Sequence, residues 1–123
     1  MLQRALLNAR FTLRKRFTEN EIAAFARLSG DSNPIHTGAN GIVHGLLAVS
    51  QFSKIAGTEL PGPGTRIYKI NTTFHREILA DQEVEVSLEI TKVVKKFAHA
   101  EAEMACVQSG NQLISSQLVL KLP

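Results

Sequence analysis

The sequence predicts an α+β chain in which an antiparallel sheet is wrapped around one long central helix. Three observations carry that expectation. Residues 42–56, IVHGLLAVSQFSKIA, are apolar almost all the way round, so a helix there must be covered by other structure. Beyond the PGPG break at 61–64 the apolar residues alternate with polar ones, most cleanly in EVEVSLEIT at 83–91, the period of a half-buried strand. The later strands follow one another through short connections, with Ser109-Gly110-Asn111 offering hairpin chemistry, which implies antiparallel neighbours.

The elements follow in order. FTLRKRF, 11–17, alternates well enough for a first strand. Thr18 and Glu21 then form a T-x-x-E capping box ahead of Ile22, Phe25 and Ala26, the apolar spacing of a short amphipathic helix. Gly30 supplies its C-cap. The buried helix runs from Ile42 to Ala56 and closes at Gly57. RIYKINTTF places Tyr68, Ile70 and Phe74 on one face of a strand, and EVEVSLEIT turns Val84, Val86, Leu88 and Ile90 inward with Glu83, Glu85 and Glu89 outward. Strands at 97–107 and 112–121 complete the sheet, with Met104 and Cys106 in the inward register. A sheet curled round a helix keeps an open edge that two copies can pair to hide, so a homodimer is expected.

The 123 residues suit a single domain, 1–123. The apolar fraction of 44% and charged fraction of 20% are those of a globular chain rather than a disordered one. No apolar run approaches the roughly 20 residues that cross a bilayer, so no membrane role is expected. Cys106 is the only cysteine, which excludes an intrachain disulfide and a cysteine-based zinc site and suits a reducing compartment. The net charge of +3 and pI of about 9.3 raise nucleic-acid binding as a possibility. Much of the excess lies at the front, where Arg4, Arg10, Arg14, Lys15 and Arg16 precede the first acid, Glu19; no aromatic residues interleave with a basic stripe, and a nucleic-acid partner is not expected. The opening MLQRALLNAR is arginine-containing and acid-free, as mitochondrial presequences are. It is read as a tail leading into the fold, so the expected location is cytoplasmic, with the mitochondrial matrix as the alternative.

The chemistry concentrates in SGDSNPIH, 29–36. Asp, Ser, Asn and Pro are turn formers, and a tight turn explains much of the stretch. A turn has no need of the imidazole of His36, and the other reading is a proton-transfer site. An ordinary aspartate is ionised at neutral pH and an ordinary histidine partly protonated, so Asp31 and His36 offer a base and an acid together. The partner segment is Ile42-Val43-His44-Gly45. The first turn of a helix presents free backbone N–H groups at the positive end of the dipole. Gly45 lets a group approach its amide closely, as an oxyanion hole requires; close packing of the helix on a strand would explain the glycine equally well. Asp31, His36 and His44 could hold a metal by residue type, but they lack a fourth ligand, and neither a metal nor a cofactor is expected. His75 and His99 fall on polar strand faces.

SGDSNPIH followed by IVHGLL closely resembles the R-specific enoyl-CoA hydratases, the MaoC-like dehydratases of the hotdog fold. The likeness extends through Arg16-Phe17, EIAAFARLSGDSNPIH, IVHGLLAVSQFS, LPGPG and the closing LVLKLP. It implies reversible water addition to a trans-2-enoyl thioester, giving the (R)-3-hydroxyacyl thioester, with acyl-CoA or an acyl carrier protein thioester as substrate. Asp31 would be the base on the water and His36 would help bind it and supply a proton to C2. Asn33 would orient the pair, Gly45 would bind the thioester oxygen, and Ser53 matches a family position close to the site. His44 is grouped with these substrate-binding residues, although packing is the commoner role for such a histidine. One departure stands out: only TGANG separates His36 from Ile42, where the family enzymes carry a longer segment that helps build the acyl pocket. The alternatives are a non-catalytic acyl-thioester-binding protein, which the short loop favours, and a hotdog thioesterase, which commonly needs an acid on the central helix; 42–56 contains no Asp or Glu.

Overall fold

The computed structural model describes residues 5–38 and 40–123. Five strands form one antiparallel sheet: β1 (Arg10–Arg16), β2 (Arg66–Phe74), β3 (Glu83–Val94), β4 (Phe97–Cys106) and β5 (Gln112–Lys121). Their order across the sheet is β1-β3-β4-β5-β2. Helices α1 (Glu19–Ser29) and α2 (Gly45–Thr58) precede β2. This is the hotdog fold.

The expected inward positions of β3 hold from Val84 to Ile90. Val84, Val86, Leu88 and Ile90 are all fully buried, as are Met104 and Leu120 on β4 and β5 and Phe52 and Ile55 on α2. Burying one such side chain is worth roughly 1.5–3 kcal/mol. Cys106 is buried beside them. The α1 cap forms as expected: the Thr18 hydroxyl accepts from the Glu21 N–H at 3.1 Å and the Glu21 carboxylate accepts from the Thr18 N–H at 3.0 Å. Gly30 closes the helix in the left-handed region, φ 79°.

Four expectations need correction. Helix α2 starts at Gly45 rather than Ile42, with His44 as its N-cap. Residues 41–43 run extended instead, because the Val43 N–H donates to the Ile78 carbonyl and the Ala80 N–H to the Gly41 carbonyl, at 2.8 and 2.9 Å. At its other end α2 continues through Gly57 to Thr58; Ile55 and Ala56 anchor that turn in the core, and Pro61 follows where the helix cannot continue. Tyr68 leaves the face of Ile70 and Phe74, since the β2–β5 register slips between Ile67 and Lys69 and a bulge re-aims the extra residue. Finally, the N-terminal segment is no loose tail over its described part. Leu6 is buried, the Asn8 N–H donates to the Ile90 carbonyl at 2.8 Å, and the Ile90 N–H donates to Ala9 at 2.9 Å. Residues 1–4, which include Arg4, lie outside the described residues. No helix among those described is long and apolar enough to cross a membrane.

Candidate active site

The segment from Asp31 to Ile42 is held by its own polar side chains. Asp31 Oδ1 accepts from the Asn33 N–H at 3.2 Å, and Asn33 Oδ1 accepts from the Ile35 N–H at 3.3 Å. Pro34–His36 then form a single 3₁₀ turn, for which proline's fixed φ is suited. The Ile42 N–H donates to the Ile35 carbonyl at 2.8 Å, tying the turn to the extended segment at 41–43. Gly41 permits this return, because a Cβ there would lie 2.6 Å from the His36 carbonyl oxygen and 2.9 Å from that of Gly38. The short TGANG connection is thus a tight glycine-dependent loop; Ala39 within it lies outside the described residues.

His36 is oriented by a backbone acceptor. Its Nδ1 donates to the Ile42 carbonyl at 2.5 Å, and since a carbonyl can only accept, the proton of the neutral ring sits on Nδ1. Nε2 is not engaged by that bond. His44 Nε2 donates to the Asp31 carbonyl at 3.1 Å, which pins the start of the loop to the start of α2. The two imidazoles stack with centroids 3.7 Å apart and planes at 21°, and Phe25 of α1 meets His44 edge-on at 4.8 Å. A carboxylate oxygen of Asp31 and a ring nitrogen from each histidine all lie within 4.8 Å of one another. Two hydrogen bonds of about 2.8 Å meeting at one water oxygen span that distance.

Two cavities meet at His36. One of about 430 Å³ is walled by Ile35, Gly45, Phe74 and His75 among others; the second, about 380 Å³, is walled by Asp31, Asn33 and residues of α1. His36 lines both. Gly45 is the first residue of α2, so its N–H has no carbonyl four residues back to bond. Its lack of a side chain has a separate cause: a Cβ would come within 2.7 Å of the Phe74 ring.

The residues singled out from the sequence therefore divide. Asp31, Asn33, His36 and Gly45 stand around the two cavities. His44 is 2% exposed, stacked on His36, and lines neither cavity. Ser53 is exposed on α2 and also lines neither. Phe74 and His75 line the larger cavity without having been anticipated; His75 was read only as a surface residue, and its Nε2 pairs with the Ser115 hydroxyl at 2.7 Å. As a metal set, Asp31, His36 and His44 are poorly disposed. Imidazole lone pairs lie in the ring plane, so stacked rings aim theirs side by side, whereas a zinc ion must sit about 2.0–2.1 Å from each nitrogen in plane.

The fold thus gathers a carboxylate and two imidazoles at the start of the wrapped helix, groups that can exchange protons. The chain belongs to the MaoC-like family: the MaoC like domain matches residues 7–112. It is similar to the (R)-specific enoyl-CoA hydratase of Aeromonas caviae, 33% identical over 121 residues that cover 90% of each chain. It is also similar to the 3-hydroxybutyryl-CoA dehydratase of Methylorubrum extorquens, 26% identical over 90% of this chain and 76% of the relative. Among solved structures, the (R)-hydratase from A. caviae involved in PHA biosynthesis superposes with a TM-score of 0.90 at 31% identity, covering 95% of this chain and 96% of that one.

Proposed function

We propose that the protein hydrates trans-2-enoyl-CoA thioesters reversibly to the (R)-3-hydroxyacyl thioesters. The observation that carries this reading is the separation of Asp31 and His36, within 4.8 Å, with His36 lining both cavities and its Nδ1, not its Nε2, committed to a backbone carbonyl. A water held between them loses a proton to the Asp31 carboxylate as its oxygen attacks C3. The Nε2–H of protonated His36 delivers a proton to C2. The thioester oxygen, which gains negative charge as C3 is attacked, accepts from the Gly45 amide, where the α2 dipole adds to the stabilisation. The acyl chain then crosses His36, from the Gly45 side to the Asp31 side. Asn33 acts on the pair by holding the turn, and His44 by fixing the Asp31 backbone and backing the His36 ring.

The same reading takes the protein as a homodimer. Strand β2 ends the sheet, is exposed along nearly its whole length, and presents Ile70 and Phe74 at 42% and 51% exposure; pairing two such edges satisfies both. The experiment for the activity is stereochemical. Crotonyl-CoA incubated with the protein should lose its enoyl absorbance and yield 3-hydroxybutyryl-CoA that an (R)-specific dehydrogenase oxidises. Product accepted only by an (S)-specific dehydrogenase, or no product, contradicts the proposal.

A further inference from the structure

We infer that the cavity between α1 and the loop at Asp31 holds the tail of the substrate's acyl chain, with Ala23 and Ala26 setting the chain length preferred. The inference rests on the enoyl-thioester reading above and names which substrates of that class suit the site.

The starting point is what adjoins the two reacting side chains. In the proposed reaction the thioester lies at Gly45, and the chain beyond C3 leaves His36 on the Asp31 side. The smaller cavity, about 380 Å³, begins there, since Asp31 and His36 are both among its walls. Its volume falls within the range usual for small-molecule sites. Thr37 and Gly38 of the short TGANG connection form part of its rim.

The opposite wall is one face of α1. Glu19, Ile22, Ala23 and Ala26 line the cavity, and their spacing of i, i+3, i+4 and i+7 puts them in one stripe. That stripe runs about 10 Å along the helix axis. Its direction follows from what each end meets. The Gly30 N–H donates to the Ala26 carbonyl at 2.9 Å, and Gly30 leads directly into Asp31. Phe25, beside Ala26, meets the His44 ring at 4.8 Å. Ala26 is therefore the near end of the stripe, and Glu19 with Asn20 the far one.

The lining suits a hydrocarbon. Ile22 is buried beneath the stripe, and Ala23 and Ala26 present methyl groups. Two polar side chains of the facing loop turn back on the loop itself: Asn33 Oδ1 accepts from the Ile35 N–H at 3.3 Å, and the Thr37 hydroxyl donates to the Pro34 carbonyl at 2.9 Å. Each methylene laid along α1 gains about fourfold in affinity if fully buried. The gain ends at Glu19 and Asn20, which are exposed, so a longer tail emerges into water. The substrates favoured are straight, medium-length 2-enoyl thioesters.

The test reads one ratio, kcat/KM for trans-2-octenoyl-CoA over that for crotonyl-CoA. Wild type should favour octenoyl-CoA. Ala26→Leu, at the near end, should lower the ratio about tenfold or more, the scale on which a pocket rejects extra methylenes. Ala23→Leu, farther along, should lower it less. Ala24→Leu, at an exposed position that lines neither cavity, should leave it unchanged. Leucine suits a helix nearly as well as alanine, and both substrates meet the same preparation, so a folding defect cancels from the ratio. A wild-type preference for crotonyl-CoA, an unchanged ratio in Ala26→Leu, or an equal fall in Ala24→Leu would overturn the inference. If wild type hydrates no thioester, the proposed function fails, and calorimetry with the saturated octanoyl-CoA and butyryl-CoA still decides the cavity. Octanoyl-CoA should then bind wild type the more tightly, with Ala26→Leu erasing the difference; no difference in wild type would overturn the inference.

Discussion

The sheet and the loop from Asp31 to Ile42 are built on different terms. In the sheet, ladders pair the backbone everywhere but along the outer edges of β1 and β2, and stability comes from inward side chains such as Leu88, Met104 and Leu120, all with no exposed surface. In the loop, Asp31, Ser32, Asn33 and Pro34 are exposed, and order comes from side chains bonding to nearby backbone. The comparison teaches that the turn and the proposed proton-transfer site are built from the same side chains. Asp31 uses Oδ1 to hold the turn, and the proposed reaction calls on its carboxylate for a proton. His36 uses Nδ1 to hold the loop, and the proposed reaction calls on Nε2.

That division is open to test by perturbing each region and reading both stability and turnover. The largest effect should come from the helix that the sheet wraps. Phe52→Ala, at a fully buried position, should lower unfolding free energy by about 3–5 kcal/mol in a denaturant titration. The kcat of the fraction still folded should stay near that of wild type; a matching fall in kcat would mean that core and loop are not separable.

Gly41→Ala should be next. Its new Cβ meets backbone at 2.6 Å, which a side-chain rotation cannot relieve, so a cost of about 1–3 kcal/mol is expected. Because the atom struck is the His36 carbonyl, turnover should fall too, and normal kinetics with normal stability would show that the loop tolerates displacement. Asn33→Ala removes the acceptor for the Ile35 N–H. It should cost only about 1 kcal/mol in stability, as the loss of a cap does, and yet lower kcat about tenfold, because effective positioning at an active site is steeply geometric.

The smallest effect lies in α1. Lys15, with further help from Thr18, holds the Glu21 carboxyl below its ordinary value of 4.5. A lowered carboxyl stabilises the folded state above that ordinary value, and the contribution disappears as pH falls through the folded-state value. Glu21→Gln should therefore be slightly less stable than wild type at pH 7, by a few tenths of a kcal/mol for so exposed a pair. The gap should close once the pH falls below the folded-state value; a gap that persists there would mean that the ionised carboxylate is not its source.

Much of this was legible in the sequence, for physical reasons that vary by residue. Period-2 alternation located β3 because one face of that strand is buried from Val84 to Ile90. Thr18, Glu21 and Gly30 marked α1 because capping is local chemistry. The start of α2 was misplaced because Ile42 and Val43 continue the apolar run; what makes them extended is their pairing with residues 78–80, a contact between distant segments. Gly57 did not stop the helix, since buried neighbours outweigh its propensity. The bulge at Tyr68 left no trace in the pattern. Neither did the pairing of Arg14 and Arg16 with Glu83 and Glu85, since β1 meets β3 only in the fold. In the site, Asp31, Asn33, His36 and Gly45 announced themselves by residue type and order. Phe74 and His75 could not, since only the fold carries the end of β2 to the mouth of α2.

The most direct measurement compares crotonyl-CoA hydration by wild type, Asp31→Asn and His36→Gln, with circular dichroism verifying that all three are folded. Each substitution keeps the shape of its residue and removes its proton chemistry, so turnover should fall about a hundredfold or more in both. Hydration at comparable rates in all three proteins would contradict the account.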